Sequence, residues 1–266
     1  MDMLSIPFYL FAAILAALYY AIPPRHRWYV LLAGSLGFYF CFTGRGRWMF
    51  LASILITYLL GLGLDHLGNS KNSRKKQTIF LIVSVVITAL PLAVTKHGNH
   101  VLIHQLHREG VSWIIPLGLS FYTMQIIAYL ADVYTGKIPA EKNLLRYALF
   151  VSFFPQIVQG PIPRYRRLAP QLREGRRFSE RTFVKGCMMI LWGFFLKMMI
   201  ADKAAVIVNR IFEQSDRYPG LFIFTAGSLY SLQLYTDFLS CVCLAQGTAG
   251  LFGIELEDNF RHPYLA

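Results

Sequence analysis

The stretch LLRYALFVSFFPQIVQGPIP, residues 144–163, decides how the rest of the chain is interpreted. Its first half is apolar, but Pro155, Gly160, Pro161 and Pro163 interrupt its second half. Proline lacks the backbone N–H that continues a helix, so one straight span across these residues is disfavoured. In hydrocarbon, irregular backbone is tolerated only where protein buries it or where it lines a cavity. The stretch therefore predicts a re-entrant or broken segment within a membrane protein.

Apolar runs on both sides of this segment predict an all-α, polytopic integral membrane protein. The chain has 266 residues, of which 55% are hydrophobic and only 15% are charged. A bilayer core needs about 20 mostly apolar residues per helical span, so roughly six or seven spans are expected within one transmembrane domain, residues 1–266. The approximate bounds of the unbroken runs are 5–22, 28–43, 48–64, 78–95, 113–135, 183–200 and 220–254.

The net charge of +12 is interpreted as a signal of membrane orientation. Lysine and arginine gather in the cytoplasmic loops of membrane proteins, and no basic, aromatic-rich soluble module points to nucleic acid. The densest basic run, residues 164–181, contains seven arginines and is predicted to be an amphipathic cytoplasmic loop. It joins the other basic loops on one side if residues 144–163 enter and leave the membrane on the same side.

Four histidines form a possible metal site. His97, His100, His104 and His107 are spaced by three, four and three residues, so on a helix they would share one face, as metal ligands can. The alternative is a solvated loop on the outer face, which is favoured because Gly98 and Asn99 disfavour a regular helix and Glu109 is the one carboxylate nearby. No metal is therefore assigned to the chain.

Asp237 lies in an apolar run and is a candidate functional residue. An ionisable group at membrane depth is a functional hypothesis by default. The alternative is a packing residue that is hydrogen-bonded to Tyr235 or Gln233. Asp202 and Lys203, in contrast, are interpreted as polar anchors at the end of the span that covers residues 183–200.

Four motifs, in this order and at this spacing, resemble the membrane-bound O-acyltransferases. The nearest likeness is to bacterial alginate O-acetylation proteins and teichoic acid D-alanyl transfer proteins, and it covers the whole chain. The motifs are PLGLSFYTMQ (116–125) with YLADVY (129–134); FFPQIVQGPI (153–162) with Arg164 and Tyr165; Trp192 and Gly193 with KMMIAD (197–202); and QLYTDF (233–238) with EDNFRHPY (257–264).

The resemblance implies a fold and an activity. The fold is a ring of tilted transmembrane helices around a thin centre in a bacterial cell membrane. The activity is acyl transfer, usually of acetyl, from an acyl-CoA or acyl-carrier-protein thioester to a hydroxyl of a cell-surface polymer. No cofactor is bound, and the expected partners are the lipid bilayer and an acyl carrier protein or an extracytoplasmic acyltransferase. The family's general base is a histidine that follows the fourth motif, so the chain is expected to be an N-terminal portion that is inactive alone.

The resemblance also assigns roles to residues. Ser120, Gln125, Gln156 and Asp237 are candidate tunnel or support residues, and no catalytic residue is assigned within the chain. The arginines expected to attract an anionic donor are Arg164, Arg166 and Arg167. The residues of structural motifs are Pro155, Gly160, Pro161, Lys197, Asp202 and Asn259.

One position departs from the family pattern, and two other functions remain open. The family usually has Ser-Gly after Asp237-Phe238, whereas this chain has Leu239-Ser240, which would close a tight helix contact. A transporter or flippase built around a broken helix is one alternative, although such proteins usually carry paired interruptions in repeated halves. The other is an inactive remnant that acts as a structural partner.

Overall fold

The computed structural model describes residues 4–42, 46–68, 74–104, 116–157 and 159–259, and in these ranges every regular element is helical. The first half contains α1 (Ile6–Ala21), α2 (Arg27–Phe42), α3 (Arg47–Gly68), α4 (Arg74–His104) and α5 (Leu119–Tyr134). The remaining helices are α6 (Leu144–Ser152), α7 (Phe154–Ile157), α8 (Tyr165–Glu174), α9 (Glu180–Phe195), α10 (Asp202–Glu213) and α11 (Gly220–Gly250). A π-helical turn, Leu196–Ala201, joins α9 to α10.

Among the described residues, three helical stretches are long and apolar enough to cross a bilayer. They are α3, residues Arg74–Lys96 of α4, and the continuous run Glu180–Glu213. The surface of α4 suits contact with lipid, because Ile79, Ile82 and Val86 are more than half exposed. These features confirm an all-α polytopic membrane protein. The apolar helix α1 has 16 residues, which span about 24 Å, so the expected total of six or seven spans stays a prediction.

Two of the predicted spans have different ends in the structure. The fifth begins at Leu119 rather than near 113, because Gly118 is left-handed at φ 69° and stands at the N-cap of α5. The run predicted to end near 200 continues through the π turn to Glu213. The interpretation of Asp202 as an anchor at a helix end is therefore wrong. The side chain of Asp202 is paired with Lys197, as described below.

The basic segment 164–181 is also more ordered than a loop. Ten of its residues form α8, in which Tyr165, Leu168, Ala169 and Leu172 are buried. These positions recur every three or four residues, which places them on one face of a helix. The arginines of α8 lie on the exposed side, so the prediction of an amphipathic segment holds while the prediction of a loop is wrong for these ten residues.

The described residues form two compact units. One takes its residues from 1–17, 159–161 and 177–266, and α11 packs along α9 and α10 within it. The other takes its residues from 18–158 and 162–176, where α3 packs on α4, α5 and α6. A cluster of buried aromatic rings fills the second unit; its members are Tyr39, Phe50, Tyr122, Tyr129, Tyr147 and Phe150.

Candidate functional site

The predicted interruption at residues 144–163 is present, and its backbone hydrogen bonds show how it is stabilised. The helix α6 ends at Ser152, and Phe153 leaves the helical region at φ −52°, ψ 107°. In a continuous helix the N–H of Phe154 would donate to the carbonyl of Phe150. Here it donates to Oγ of Ser35 at 3.3 Å, so the Phe150 carbonyl needs another donor.

Two glutamine side chains supply that donor. Gln125 Nε2 donates to the Phe150 carbonyl at 2.8 Å, and Gln156 Nε2 donates to the same oxygen at 3.0 Å. Both side chains are buried. The structure therefore brings two predicted support residues together on one free carbonyl, where they stabilise the end of α6 against the cost of an unpaired buried acceptor.

This interruption also contains polar atoms that have no partner. Gln156 Oε1 and Ser152 Oγ are buried and form no hydrogen bond with any residue that the structure describes. Gln156 is 3% exposed, so its free oxygen lies away from solvent. Leaving such a group unpaired costs roughly 1–3 kcal/mol. The carbonyl end of Gln156 is thus available to accept a hydrogen bond from a water or from a hydroxyl group.

Gly118 fixes the start of α5 against the end of α7. Its φ of +69° belongs to the left-handed region, and a Cβ placed there would lie 2.0 Å from the carbonyl oxygen of Ile157. Glycine alone permits this approach of two backbone segments. The first motif, which contains Gly118, and the second, which contains Ile157, are thus in direct contact.

A buried carboxylate organises the basic helix α8. Glu141, 8% exposed, pairs with the guanidinium of Arg173 and accepts a hydrogen bond from the phenol of Tyr165. Arg173 Nη2 also donates to the Tyr165 hydroxyl at 2.9 Å. Burial raises the pKa of Tyr165, and the nearby Tyr129 raises it further, so the phenol keeps its proton and remains a donor.

The turn that carries Glu141 is itself tied to neighbouring helices. The N–H of Glu141 donates to the hydroxyl of Tyr129 at 2.9 Å. Glu141 Oε1 accepts from the N–H of Asn143 at 3.0 Å, and Asn143 Oδ1 caps α6 by accepting from Leu145 and Arg146. These hydrogen bonds fix the backbone and the carboxylate of Glu141, and the carboxylate in turn orients the guanidinium of Arg173.

A cleft of about 480 Å³ lies between this turn and α8. Its polar lining consists of Lys142, Arg166, Arg173, Glu141 and Tyr165. Ile138, Pro139, Ala140, Ala169 and Pro170 complete the wall. The lining of the cleft thus carries three cationic side chains and one carboxylate.

A second polar cluster lies in the unit that contains α9, α10 and α11. Lys197 Nζ lies 2.6 Å from Oδ1 of Asp237 and 3.0 Å from Oδ1 of Asp202. Lys197 stands in the π turn, a helix form that often marks functional sites. The structure thus pairs Asp237 with Lys197, which the sequence did not predict, and gathers three predicted site residues into one ion cluster.

We expect replacement of Lys197 by glutamine to destabilise the protein by about 1–3 kcal/mol. The change leaves two carboxylates near an apolar helix without a cation. Breaking a fully buried pair costs about 3–5 kcal/mol, and partial exposure of both aspartates, 44% for Asp237 and 52% for Asp202, reduces this. Chemical denaturation in detergent micelles measures the difference.

The matched control is Lys203→Gln, which removes the same charge from an exposed position six residues further along. Its effect should stay within about 0.5 kcal/mol. The double variant Lys197→Gln/Asp237→Asn should lose less than the sum of the two single variants, because the two changes remove one interaction. Strict additivity would contradict a coupling between the two side chains.

The other predicted site residues are placed as follows. Ser120 is half-buried in the first turn of α5, and Pro155, Gly160 and Pro161 are buried in and after α7. Arg164 is the exposed N-cap residue of α8. Arg167 is exposed on α8, and Asn259 is exposed near the end of the described residues. Among Arg164, Arg166 and Arg167, only Arg166 lines the cleft.

Although Leu239-Ser240 replaces the family's Ser-Gly, α9 and α11 still approach each other closely at this position. A Cβ on Gly193 of α9 would lie 3.0 Å from the carbonyl oxygen of Ser240 on α11. Ser240 is fully buried, and its hydroxyl donates to the carbonyl of Asp237 at 2.6 Å. The glycine on α9 therefore maintains the close approach where α11 carries serine.

The histidine hypothesis cannot be followed to its side chains. The helix α4 includes the backbone of His97, His100 and His104, whereas the sequence favoured a loop there. Their side chains and all of His107 lie outside the described residues. Within the described part of the chain no three histidine, cysteine or acidic side chains gather as metal ligands, and the four histidines themselves are not tested.

Sequence reasoning missed Glu141 altogether. It contacts Tyr165 and Arg173, which are 24 and 32 residues further along the chain, so no local spacing links them. One signal was present. Glu141 is an isolated acid between two apolar runs, and the second of these runs, residues 144–163, leads into the arginine-rich segment.

The structure is that of an all-α membrane protein with an ion cluster between the π turn, α10 and α11, and with an amide-stabilised break between α6 and α7. The chain belongs to the membrane-bound O-acyltransferase family. It is 31% identical, over 97% of its length, to the probable alginate O-acetylase of Azotobacter vinelandii, and the match covers 52% of that protein. No protein-family model matches the chain.

Two further relatives have other acceptors in their names. The peptidoglycan O-acetyltransferase of Helicobacter pylori is 29% identical over 89% of this chain and 50% of its own length. The teichoic acid D-alanyltransferase of Bacillus subtilis is 27% identical over 69% of this chain and 47% of its own length. The chain spans about half the length of the curated relatives that it matches.

Proposed function

We propose that this protein takes part in the transfer of an acyl group, with acetyl as the leading case, from a thioester to a hydroxyl of a cell-surface or cell-wall polymer. The observation that carries the proposal is the similarity over 97% of the chain to an alginate O-acetylase, together with the likeness to peptidoglycan and teichoic acid acyltransferases. The three names share acyl transfer and differ in the acceptor, and the third also differs in the acyl group, which is D-alanyl in place of acetyl. The activity proposed is that of the complete protein.

The transfer reaction needs a nucleophilic hydroxyl, a thioester and a general base. The hydroxyl oxygen attacks the thioester carbonyl, an ester bond forms, the carbon–sulfur bond breaks and the thiol leaves. A general base must accept the hydroxyl proton, and we do not assign it to a residue of this chain. The buried acceptor Gln156 Oε1 is a suitable partner for a hydroxyl or water at the interruption.

The basic face of α8 supports an anionic donor. Arg164, Arg166 and Arg167 are exposed on or beside this helix, and their combined field attracts negative charge over several ångströms. Acyl-CoA and acyl carrier proteins are both anionic thioesters. An acyl carrier protein on the cytoplasmic side, or an extracytoplasmic acyltransferase on the other, would be the protein partner, and the bacterial cell membrane would be the location.

The test is whether base-labile acyl esters on the surface polymer depend on the gene. Cells with and without the gene are grown on deuterated acetate, and the acetate released from purified polysaccharide by mild base is measured by mass spectrometry. We expect loss on deletion and recovery on complementation with the full natural reading frame. Unchanged labelled ester on every surface polymer would sink the proposal.

A second measurement separates enzyme from transporter. Isolated membranes that contain the expressed protein are supplied with labelled acyl-CoA or acyl carrier protein and with the acceptor polymer. Transfer of label to the polymer supports acyl transfer. Loss of the ester in deleted cells, combined with no transfer by such membranes, would favour a transporter or flippase of an acylated intermediate.

A further inference from the structure

The cleft between α8 and the turn at residues 138–142 has the properties of an anion site. Its volume of about 480 Å³ suits a small molecule or a headgroup. Lys142 and Arg166 line it and form no ion pair with any described residue, whereas Arg173 is paired with Glu141. Two of the three cations are thus unneutralised and converge on one concave surface.

The site is rigid at the position that matters most for recognition. The guanidinium of Arg173 is held by the Glu141 carboxylate and by the Tyr165 hydroxyl at 2.9 Å. A guanidinium whose geometry is already fixed loses little entropy when it binds a second group. Pro139 and Pro170 stand in the wall and restrict the backbone on both sides of the cleft.

The chemistry of the lining selects one kind of ligand. Guanidinium groups bind phosphate oxygens with paired, charge-assisted hydrogen bonds, and a lysine ammonium adds a point charge. Arg166 and Lys142, which form no ion pair with any described residue, supply positive charge, and the guanidinium of Arg173 keeps further N–H donors beside its pair with Glu141. The apolar wall of Ala140, Ala169 and Ile138 suits an organic substituent on that phosphate.

We propose that this cleft is a binding site for a phosphate ester, held by Arg166, Lys142 and the pre-oriented Arg173. Two sources share this chemistry: the phosphates of a pantetheine-type thioester donor and the headgroup of an anionic phospholipid. The proposal does not depend on acyl transfer, because it concerns binding without turnover.

The experiment compares two arginines on the same helix. The protein is purified into nanodiscs of phosphatidylcholine, and binding of coenzyme A is measured by isothermal titration calorimetry. Arg166→Gln and Lys142→Gln should each weaken binding by about tenfold, the effect of one lost charge-assisted contact. Arg167→Gln removes the same charge from α8 but not from the cleft lining, so we expect at most about a twofold loss from the weaker overall field.

A second arm identifies a lipid source. Native mass spectrometry measures phosphatidylglycerol retained by each variant after extraction from mixed nanodiscs. Loss of retained lipid in Arg166→Gln but not in Arg167→Gln supports a headgroup site, even where coenzyme A fails to bind. Arg173 is left intact, because its removal would strand the buried Glu141.

Two outcomes would overturn the proposal. One is that neither coenzyme A nor phosphatidylglycerol binds the wild-type protein. The other is that Arg166→Gln and Arg167→Gln weaken binding equally, which would indicate a diffuse basic surface. The thermal unfolding midpoint of Arg166→Gln is measured alongside, and it should not change because Arg166 has no ion-pair partner among the described residues.

Discussion

Gly118→Ala should destabilise the protein by roughly 3–5 kcal/mol, the largest single effect expected in the unit that contains the interruption. A left-handed conformation costs an alanine about 1–2 kcal/mol. In addition, the new Cβ would lie 2.0 Å from the carbonyl oxygen of Ile157, a backbone atom that cannot rotate away. The short helix α7 must therefore move, and the contacts around Gln156 move with it.

Gly136→Ala is the matched control for this change. Gly136 is also left-handed, at φ +71°, but a Cβ there meets no atom within 4 Å. It should lose only the conformational part, about 1–2 kcal/mol. Denaturant unfolding in micelles compares the two, and the ester assay described above should show activity only in Gly136→Ala. Equal losses for both variants would mean that the contact with Ile157 contributes nothing.

The sequence was sufficient to predict the interruption and not the way it is stabilised. Pro155 and Gly160 mark backbone that cannot continue a helix, and that rule is local. The role of Gln125 depends on a hydrogen bond to Phe150, 25 residues away, which exists only after α5 has packed beside α6. The family motif marked both glutamines as candidates, but only the structure explains why an amide is needed there.

The ion cluster illustrates the same limit for charges. Asp237 was a candidate because an acid in an apolar run demands an explanation. Its partner, Lys197, is 40 residues away, and the spacing in the sequence does not link the two. Asp202 was placed at the end of a helix, whereas the helical run continues past it to Glu213, and its side chain pairs with Lys197.

The basic segment shows what an averaged charge pattern leaves out. Counting arginines predicted attraction of an anion by Arg164, Arg166 and Arg167 alike. Helix formation by α8 separates them, because consecutive residues on a helix point about 100° apart. Of these three arginines only Arg166 lines the cleft, where it is accompanied by Lys142 from a different part of the chain. A count of charged residues therefore predicts the sign of the ligand's charge, whereas the fold determines which side chains can contact the ligand.

In the other unit, Gly247→Ala should cost about 2–4 kcal/mol, because it places a methyl group where α11 meets α9. The added Cβ would lie 2.6 Å from the carbonyl oxygen of Gly186 and 2.8 Å from the backbone nitrogen of Ile190. Both are backbone atoms of α9, so the two helices must separate. Close packing of helices through small residues is a main source of stability inside a bilayer.

Gly227→Ala lies on the same helix and should have the opposite sign. Nothing lies within 4 Å of its Cβ position, so the change adds only helix propensity, worth up to about 1 kcal/mol of stabilisation. Unfolding of both variants in the same micelles gives the comparison. Destabilisation by Gly227→Ala would mean that α11 rejects an added β-carbon for reasons other than packing. An unchanged stability of Gly247→Ala would contradict the close approach of α9 and α11.

The separation of α9 from α11 should also lengthen the Lys197–Asp237 contact. Gly247→Ala should therefore reduce the coupling energy measured between those two side chains.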